Sequence, residues 1–275
     1  MIRLKTKHRT QNTRAYLIYF ALALLLVCGL LAVHIFVLDD SDADTGASSD
    51  HSSTKASEPD AAHPGFNKGQ YSVSDPASLW VVVNKGRRLP SSYVPGDLVI
   101  PSVKLRYGSG NEMRLRRAAA EALKDMFDGA AAANVKLMDA SAYRSYSLQS
   151  SVYNRHVNTI GKSEADKVSA RPGHSEHQTG WAIDVAPASG KCMIETCFGD
   201  LPEGQWVKAN AHLYGFVIRY PKGKEQLTGY SHEPWHIRYV GSGLAGELYR
   251  AGQTLEQFFD LPSQPSYPTA VVELK

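Results

Sequence analysis

The sequence predicts an α+β fold, a small antiparallel sheet packed with helices and preceded by one N-terminal transmembrane helix. Three observations predict it. Residues 15–38 run almost without polar side chains, long enough at about 1.5 Å per residue to cross a hydrocarbon layer of about 30 Å. Helical periodicity then fills the middle of the chain, at 113–128 and 145–170. β-rich stretches cluster later, at 181–185, 215–218 and 235–240, an order that favours α+β over an alternating parallel fold.

The flanks of the apolar run orient it. Arg3, Lys5, Lys7, Arg9 and Arg14 precede it without an acid, and Asp39, Asp40, Asp42 and Asp44 follow. The positive-inside rule makes 1–14 a cytoplasmic tail and 15–38 a transmembrane anchor, so the expected location is the cell membrane, single-pass, with the rest of the chain extracytoplasmic. A cleaved signal peptide fits less well, because the run exceeds a usual signal core and no A-x-A site follows. Cys28 follows Val27, where a lipoprotein signal would carry a small residue, and reads as an ordinary buried cysteine.

Residues 39–70 are rich in Asp, Ser, Ala, Gly and Pro and read as a flexible linker. Within it, Ser52-Ser53-Thr54-Lys55 matches the S-x-x-K of serine-type carboxypeptidases by chance, since that chemistry needs a buried serine. One globular domain is expected over 71–262, with a C-terminal tail at 263–275. The net charge of +3 hides +5 in residues 1–14 and −6 in residues 39–60, leaving +4 elsewhere. That mild balance suits an anionic surface and falls far short of a nucleic-acid signature, so no nucleic-acid partner is expected.

Inside the domain, Leu79-Trp80-Val81-Val82-Val83 reads as a strand closed by Asn84-Lys85-Gly86, and 89–99 as an irregular, proline-punctuated segment. Leu115, Ala118, Ala119, Ala122, Leu123, Met126 and Phe127 repeat at helical spacing, with Gly129 as the stop. A strand is expected at 135–143, one or two helices at 145–170, a turn at Arg171-Pro172-Gly173 and helix at 205–213. Cys192 and Cys197 lie in an oxidising setting, which favours a short disulfide over a metal pair lacking further thiolates.

Two stretches carry the chemistry: Ser175-Glu176-His177-Gln178-Thr179-Gly180-Trp181-Ala182-Ile183-Asp184, and His232-Glu233-Pro234-Trp235-His236-Ile237-Arg238-Tyr239. The second contains the letters of H-E-x-x-H, which needs a helix to bring its two histidines onto one metal. Pro234 and the β-rich residues after it oppose a helix, and in an extended chain the histidines stand about 13 Å apart. The alternative draws His177, Asp184 and His236 together as three ligands with one position open, as a hydrolytic Zn²⁺ requires. Glu233 then stands near enough to take and return a proton.

Together with Ser141-Ala142-Tyr143-Arg144-Ser145, these stretches resemble the VanY-type D-alanyl-D-alanine carboxypeptidases. The likeness runs from about residue 84 to residue 241 and includes Gly215-Phe216, Arg219-Tyr220-Pro221 and Thr228-Gly229-Tyr230. The resemblance implies that His177, Asp184 and His236 hold Zn²⁺, that Glu233 is the catalytic base, and that Arg144 stabilises an oxyanion or binds a carboxylate. It places Ser175 either on the substrate's terminal carboxylate or in a local hydrogen-bond cap. Gln149 stands either at the pocket or on an exposed helix face. Arg238 fits a structural pair with a carboxylate inside the sheet, and His156, His174, His212 and His232 fit surface or packing roles. Trp181 and the Cys192 to Cys197 segment depart from the family pattern.

The implied activity is removal of a terminal D-alanine from peptidoglycan stem peptides or lipid-linked precursors. The same zinc chemistry suits an L,D-carboxypeptidase that trims tetrapeptides. A wall-binding zinc module without turnover is the rival of another class, opposed by the presence of Glu233 and Arg144.

Overall fold

The computed structural model describes residues 65–108 and 110–275. The expected cytoplasmic tail and membrane span, and nearly all of the expected linker, lie outside those residues. Among the described residues no helix is long and apolar enough to cross a membrane.

In chain order the elements are β1 (Arg87–Arg88), β2 (Leu98–Val99), β3 (Leu115–Arg116), α1 (Arg117–Ala132), β4 (Leu137–Ser141), α2 (Tyr146–Ile160), α3 (Lys162–Val168), β5 (Ala182–Pro187), α4 (Pro202–Asn210), β6 (Phe216–Tyr220), α5 (Glu225–Thr228), β7 (Glu233–Tyr239), α6 (Ser242–Ala251), α7 (Leu255–Phe258) and β8 (Val272–Glu273). The main sheet has the order β4-β5-β7-β6, antiparallel throughout, which is the predicted α+β arrangement.

Alternation along β5 and β7 gives this sheet its two faces. Ile183, Val185 and Ile237 are fully buried in a core shared with Ala119, Leu123, Met126 and Ala130 of α1. Residues between them in sequence point the other way, because successive strand side chains alternate. Asp184 and His236 therefore share the opposite face.

Helix α1 starts later and ends later than its periodicity suggests. Leu115 and Arg116 pair with β2 instead, and the helix runs through Gly129 to Ala132. Gly129 is not the stop. Tyr214 packs so closely over it that a Cβ would collide with the hydroxyl, and the chain turns at Asn134, whose φ is 60°.

The expected strand at 79–83 is not one. Its residues are buried with the right alternation, Val81 and Val83 in the main core and Trp80 and Val82 in a second cluster with Leu244, Leu248 and Phe258. Side chains replace a strand partner: Arg238 donates to the carbonyls of Leu79 and Val81 at 2.9 and 3.0 Å, and Arg87 to that of Val82 at 3.0 Å. Backbone acceptors buried here need donors, and arginine forks supply them without a ladder.

Residues 263–275, expected as a tail, return to the domain. β8 pairs in parallel with β1, and Leu274 is buried in the main core.

Candidate metal centre and active site

Register brings the centre together. Asp184 on β5 stands directly opposite His236 on β7, and Ser141 on β4 opposite Asp184. Across an antiparallel pair such residues hold their side chains on one face within reach of each other. His177 arrives from a 3-10 turn at Glu176–Thr179, closed by Gly180 in the left-handed conformation at φ 71°. A Cβ on Gly180 would meet Arg116 and Leu98 at 2.9 Å, so both backbone and space require glycine there.

His177 Nε2 lies 3.3 Å from Asp184 Oδ2, and His236 Nδ1 lies 3.0 Å from Asp184 Oδ1. All three residues are buried, and their ligand atoms fall within 4.8 Å of one another. A hydrogen bond on the far ring nitrogen fixes the tautomer of His177. His177 Nδ1 donates to the Ala142 carbonyl at 2.6 Å, leaving Nε2 as the ligand atom. His236 Nε2 faces the buried Glu176 Oε2 across 3.9 Å, too far for a hydrogen bond, and it is the 3.0 Å contact with Asp184 that puts Nδ1 at the metal position. Two imidazoles and one carboxylate are a donor set that fits Zn²⁺ with one position left for solvent or substrate.

The electrostatics agree. Burial and the Arg144 charge push His177 down to about 4, which keeps it neutral and able to ligate. Burial opposes charge on Asp184, yet both histidines hold its carboxyl well below the usual range. His236 is pulled down by burial but carried up to about 9 by Asp184 and Glu176, so in the absence of metal it holds a proton that metal must displace.

Glu233 opens β7 with its Oε2 4.0 Å from His236 Nδ1. Burial raises it to about 7, with Asp184 adding to the rise and His236 and Arg144 opposing it. A carboxylate titrating near neutrality is suited to both taking and giving a proton. The helix expected by H-E-x-x-H is absent: residues 233–239 are strand, and His232 turns its Nδ1 to the Tyr220 carbonyl at 2.9 Å.

Arg144 follows β4 with Nη2 3.7 Å from Asp184 Oδ2. Gln149 holds it, accepting from Arg144 Nη1 at 3.1 Å while donating to the Ala170 carbonyl at 2.6 Å. Gln149 is only 1% exposed, which excludes the solvent-facing alternative. Ser175 is buried at the same cleft and its side chain makes no cap to the turn after it. The cleft has a volume of about 940 Å³, and its walls include Arg144, Ser175, His232, Glu233 and Trp235.

Arg238 takes the structural role expected of it, with Nη1 3.0 Å from Glu176 Oε1. Sequence reasoning missed the network it joins. Glu176 also receives Arg219 Nε at 2.8 Å, Arg219 forks onto Glu256 at 2.9 and 2.5 Å, and Asn84 donates to Glu256 at 3.1 Å. Glu176 offered a signal, an acid between two site residues, whereas Glu256 offered none. His174 and His212 pack as expected, one bonded to the Asn84 carbonyl and the other stacked on Tyr249. Trp181 lies in the core, its indole donating to the Ser78 carbonyl at 3.1 Å. Cys192 and Cys197 form the expected disulfide.

The family model for VanY, D-alanyl-D-alanine carboxypeptidase, matches residues 112–242. A Bacillus subtilis protein named as a carboxypeptidase, YodJ, is 42% identical over 193 residues, covering 70% of this chain and 71% of the relative. The chain belongs to the VanY carboxypeptidase family. A D-alanyl-D-alanine carboxypeptidase of Enterococcus faecalis is 33% identical over 189 residues, 66% of this chain and 65% of the relative. Among solved structures, the LD-carboxypeptidase LdcB aligns with a TM-score of 0.64 at 40% identity, over 72% of this chain and 89% of that one. A vancomycin-resistance D,D-pentapeptidase VanY in complex with Zn(II) aligns with a TM-score of 0.53 at 32% identity, over 65% and 97% of the two chains. Like its VanY relatives this chain is a zinc carboxypeptidase, and Zn²⁺ is the cofactor that the His-Asp-His group fits.

Proposed function

We propose that the protein removes the C-terminal D-alanine of peptidoglycan stem peptides, with His177, Asp184 and His236 holding the zinc. Zn²⁺ at this position supplies Lewis acidity to water and to the scissile carbonyl. Glu233 takes the proton from the attacking water and delivers it to the leaving amine. Arg144, kept in place by Gln149, binds negative charge at the reacting carbonyl or the terminal carboxylate, with Ser175 beside it. The observation that carries this reading is Glu233 itself, a half-buried carboxylate that desolvation raises to about 7 at the edge of the metal position. A wall-binding module without turnover has no use for such a group.

The fold neighbours favour a second specificity. LdcB, an LD-carboxypeptidase, is similar at 40% identity, against 32% for the D,D-pentapeptidase. Trimming of tetrapeptides to tripeptides is therefore the alternative reading. Incubating the zinc-loaded chain with defined penta- and tetrapeptides, with and without chelator, separates the two by product mass. Chelator-sensitive loss of one alanine from the pentapeptide supports D,D-cleavage, loss from the tetrapeptide alone supports L,D-cleavage, and loss from neither refutes both.

For location, we propose anchorage by residues 15–38 with the domain outside the cell membrane. The charge asymmetry across that apolar run supports it. The Asp-, Ser-, Ala-, Gly- and Pro-rich composition of 39–70 would, as a random coil, allow an r.m.s. reach of roughly 30 Å, enough to meet lipid-linked precursors or nearby wall.

A further inference from the structure

The cleft has one wall unlike the rest. Residues 192–197 form a loop closed on itself by the Cys192–Cys197 disulfide, and Ile194, Glu195 and Thr196 from it line the cleft. Its supports are buried. Met193 packs on Met138, Ala140 and Ala186, Phe198 is fully buried, and Gly199 sits so close to Pro234 that a Cβ would lie 3.2 Å from that ring. Pro234 is the residue after the base, so the loop is braced against the strand end that carries Glu233.

The loop's conformation is costly. Cys192 has φ 52° and Ile194 φ 58°, both left-handed, and a β-branched residue there is a genuine outlier. Local packing does not repay it, because Ile194 remains 37% exposed. Strain of this kind persists only where the surroundings over-determine it, here through a covalent closure, and such sites cluster where ligands are gripped. Glu195 beside it is exposed and has no ion-pair partner among the described residues. Of the other acids lining the cleft, Asp184 stands at the metal position, Glu176 is paired with Arg219 and Arg238, Glu233 is the base proposed above, and Glu112 is exposed outside the disulfide-closed loop.

We propose that the disulfide-closed loop 192–197 is a specificity-determining wall of the cleft, in which Ile194 packs against the bound peptide and Glu195 pairs with a primary amine on a residue upstream of the scissile bond. This rests on the stem-peptide reading above. A stem peptide carries a diamino acid as its third residue, and that free amine is the cation offered within one or two residues of the bond cut. Closure by the disulfide fixes the carboxylate before substrate arrives, so less ordering entropy is lost on binding.

The test uses stem peptides carrying lysine, Nε-acetyl-lysine or norleucine at the third residue. Their affinity for the zinc-loaded Glu233→Ala chain is measured by calorimetry, and their turnover by the unmodified chain in parallel. Lysine peptide is expected to bind about fivefold tighter than the other two, the scale of an exposed ion pair. Adding Glu195→Gln should erase that preference, and in the active chain it should raise KM for the lysine peptide while leaving kcat unchanged. Replacing Cys192 and Cys197 together by serine should raise KM for all three peptides with zinc still bound. Equal affinities in the unmodified cleft, or a lysine preference that survives Glu195→Gln, would overturn the proposal. A lysine preference in binding without shortening of any peptide would instead count against the proposed activity, so the two failures are distinguishable.

Discussion

Two glutamates, the buried Glu176 and the half-buried Glu233, stand on either side of His236 and are driven in opposite directions. Burial opposes the charge on both. At Glu176, Arg219 and Arg238 overcome it and hold the carboxyl well below the ordinary range. At Glu233 burial wins, and the group rises to about 7. The difference lies in committed partners: Glu176 Oε1 has two guanidinium groups at 2.8 and 3.0 Å, whereas Glu233 has only a histidine nitrogen at 4.0 Å. Charges paired in this way make a scaffold behind His236. A carboxylate left short of partners at a cleft is suited to the base proposed for Glu233.

The sharpest way to break this contrast is at Glu233. Glu233→Ala is expected to lower kcat on the cleaved peptide by about 10²–10⁴-fold, the usual scale for a general acid–base group. Zinc content, measured by metal analysis, should stay at the level of the unmodified chain. Full activity would remove Glu233 from the reaction, and loss of zinc would make it a ligand.

On the other side of His236 the effect should fall on stability. Arg219→Met leaves Glu176 with one guanidinium and Glu256 with none, inside a network whose members are almost fully buried. Breaking one partner of a buried pair costs about 3–5 kcal/mol, because the remaining charge stays uncompensated. Urea unfolding of the zinc-loaded protein measures it. A cost below about 1 kcal/mol, the range of exposed pairs, would show that the network contributes little.

How much of this was legible in the sequence follows from the same contrast. That His177, Asp184 and His236 come together with Glu233 beside them was readable because the residue types metal hydrolysis uses fall in two short patterns around strands. Pro234 and the β-rich residues after it set aside the contiguous H-E-x-x-H, and residues 233–239 are strand. The back network was not readable, since Glu256 lies beyond the resemblance and any buried acid could have served Arg219. Residues 79–83 mislead for a related reason: their burial alternates like a strand, but the donors that satisfy them come from Arg238 and Arg87, far along the chain or outside any ladder. Local pattern reports which side chains are buried, and it does not report what satisfies the backbone.

A third carboxylate, Asp139 on β4, sharpens the comparison because it has neither kind of partner. It is fully buried, neither oxygen has a hydrogen-bond partner of good geometry, and burial raises it to about 8, with Asp184 adding to the rise. The folded state therefore binds a proton that the unfolded chain, titrating near 3.8, has released. Stability from this group is full below about pH 4 and is lost as pH rises towards about 8. Asp139→Asn, which has no proton to hold, should remove that slope and stabilise the protein by on the order of a few kcal/mol at pH 8, with little gain at pH 4. Denaturant midpoints of the two proteins across that range decide it, and a gain that does not grow with pH would mean Asp139 is ionised and paired.

The smallest expected effect belongs to Gln149, which touches the chemistry only through Arg144. Its amide oxygen accepts from Arg144 Nη1 at 3.1 Å and its amide nitrogen anchors to the Ala170 carbonyl at 2.6 Å, so the side chain spans from α2 to the guanidinium. Gln149→Ala removes one hydrogen bond from a charged group and leaves the charge itself in the cleft. The loss should be about 1–2 kcal/mol of transition-state stabilisation, a fall of roughly five- to thirtyfold in kcat/KM. Gln149→Glu separates positioning from mere space-filling. It restores an acceptor for Arg144 but removes the donor to Ala170, so recovery of activity would show that the acceptor is what matters. A variant as weak as alanine would place the function in the anchor to Ala170, and with it the position of α2 against the site.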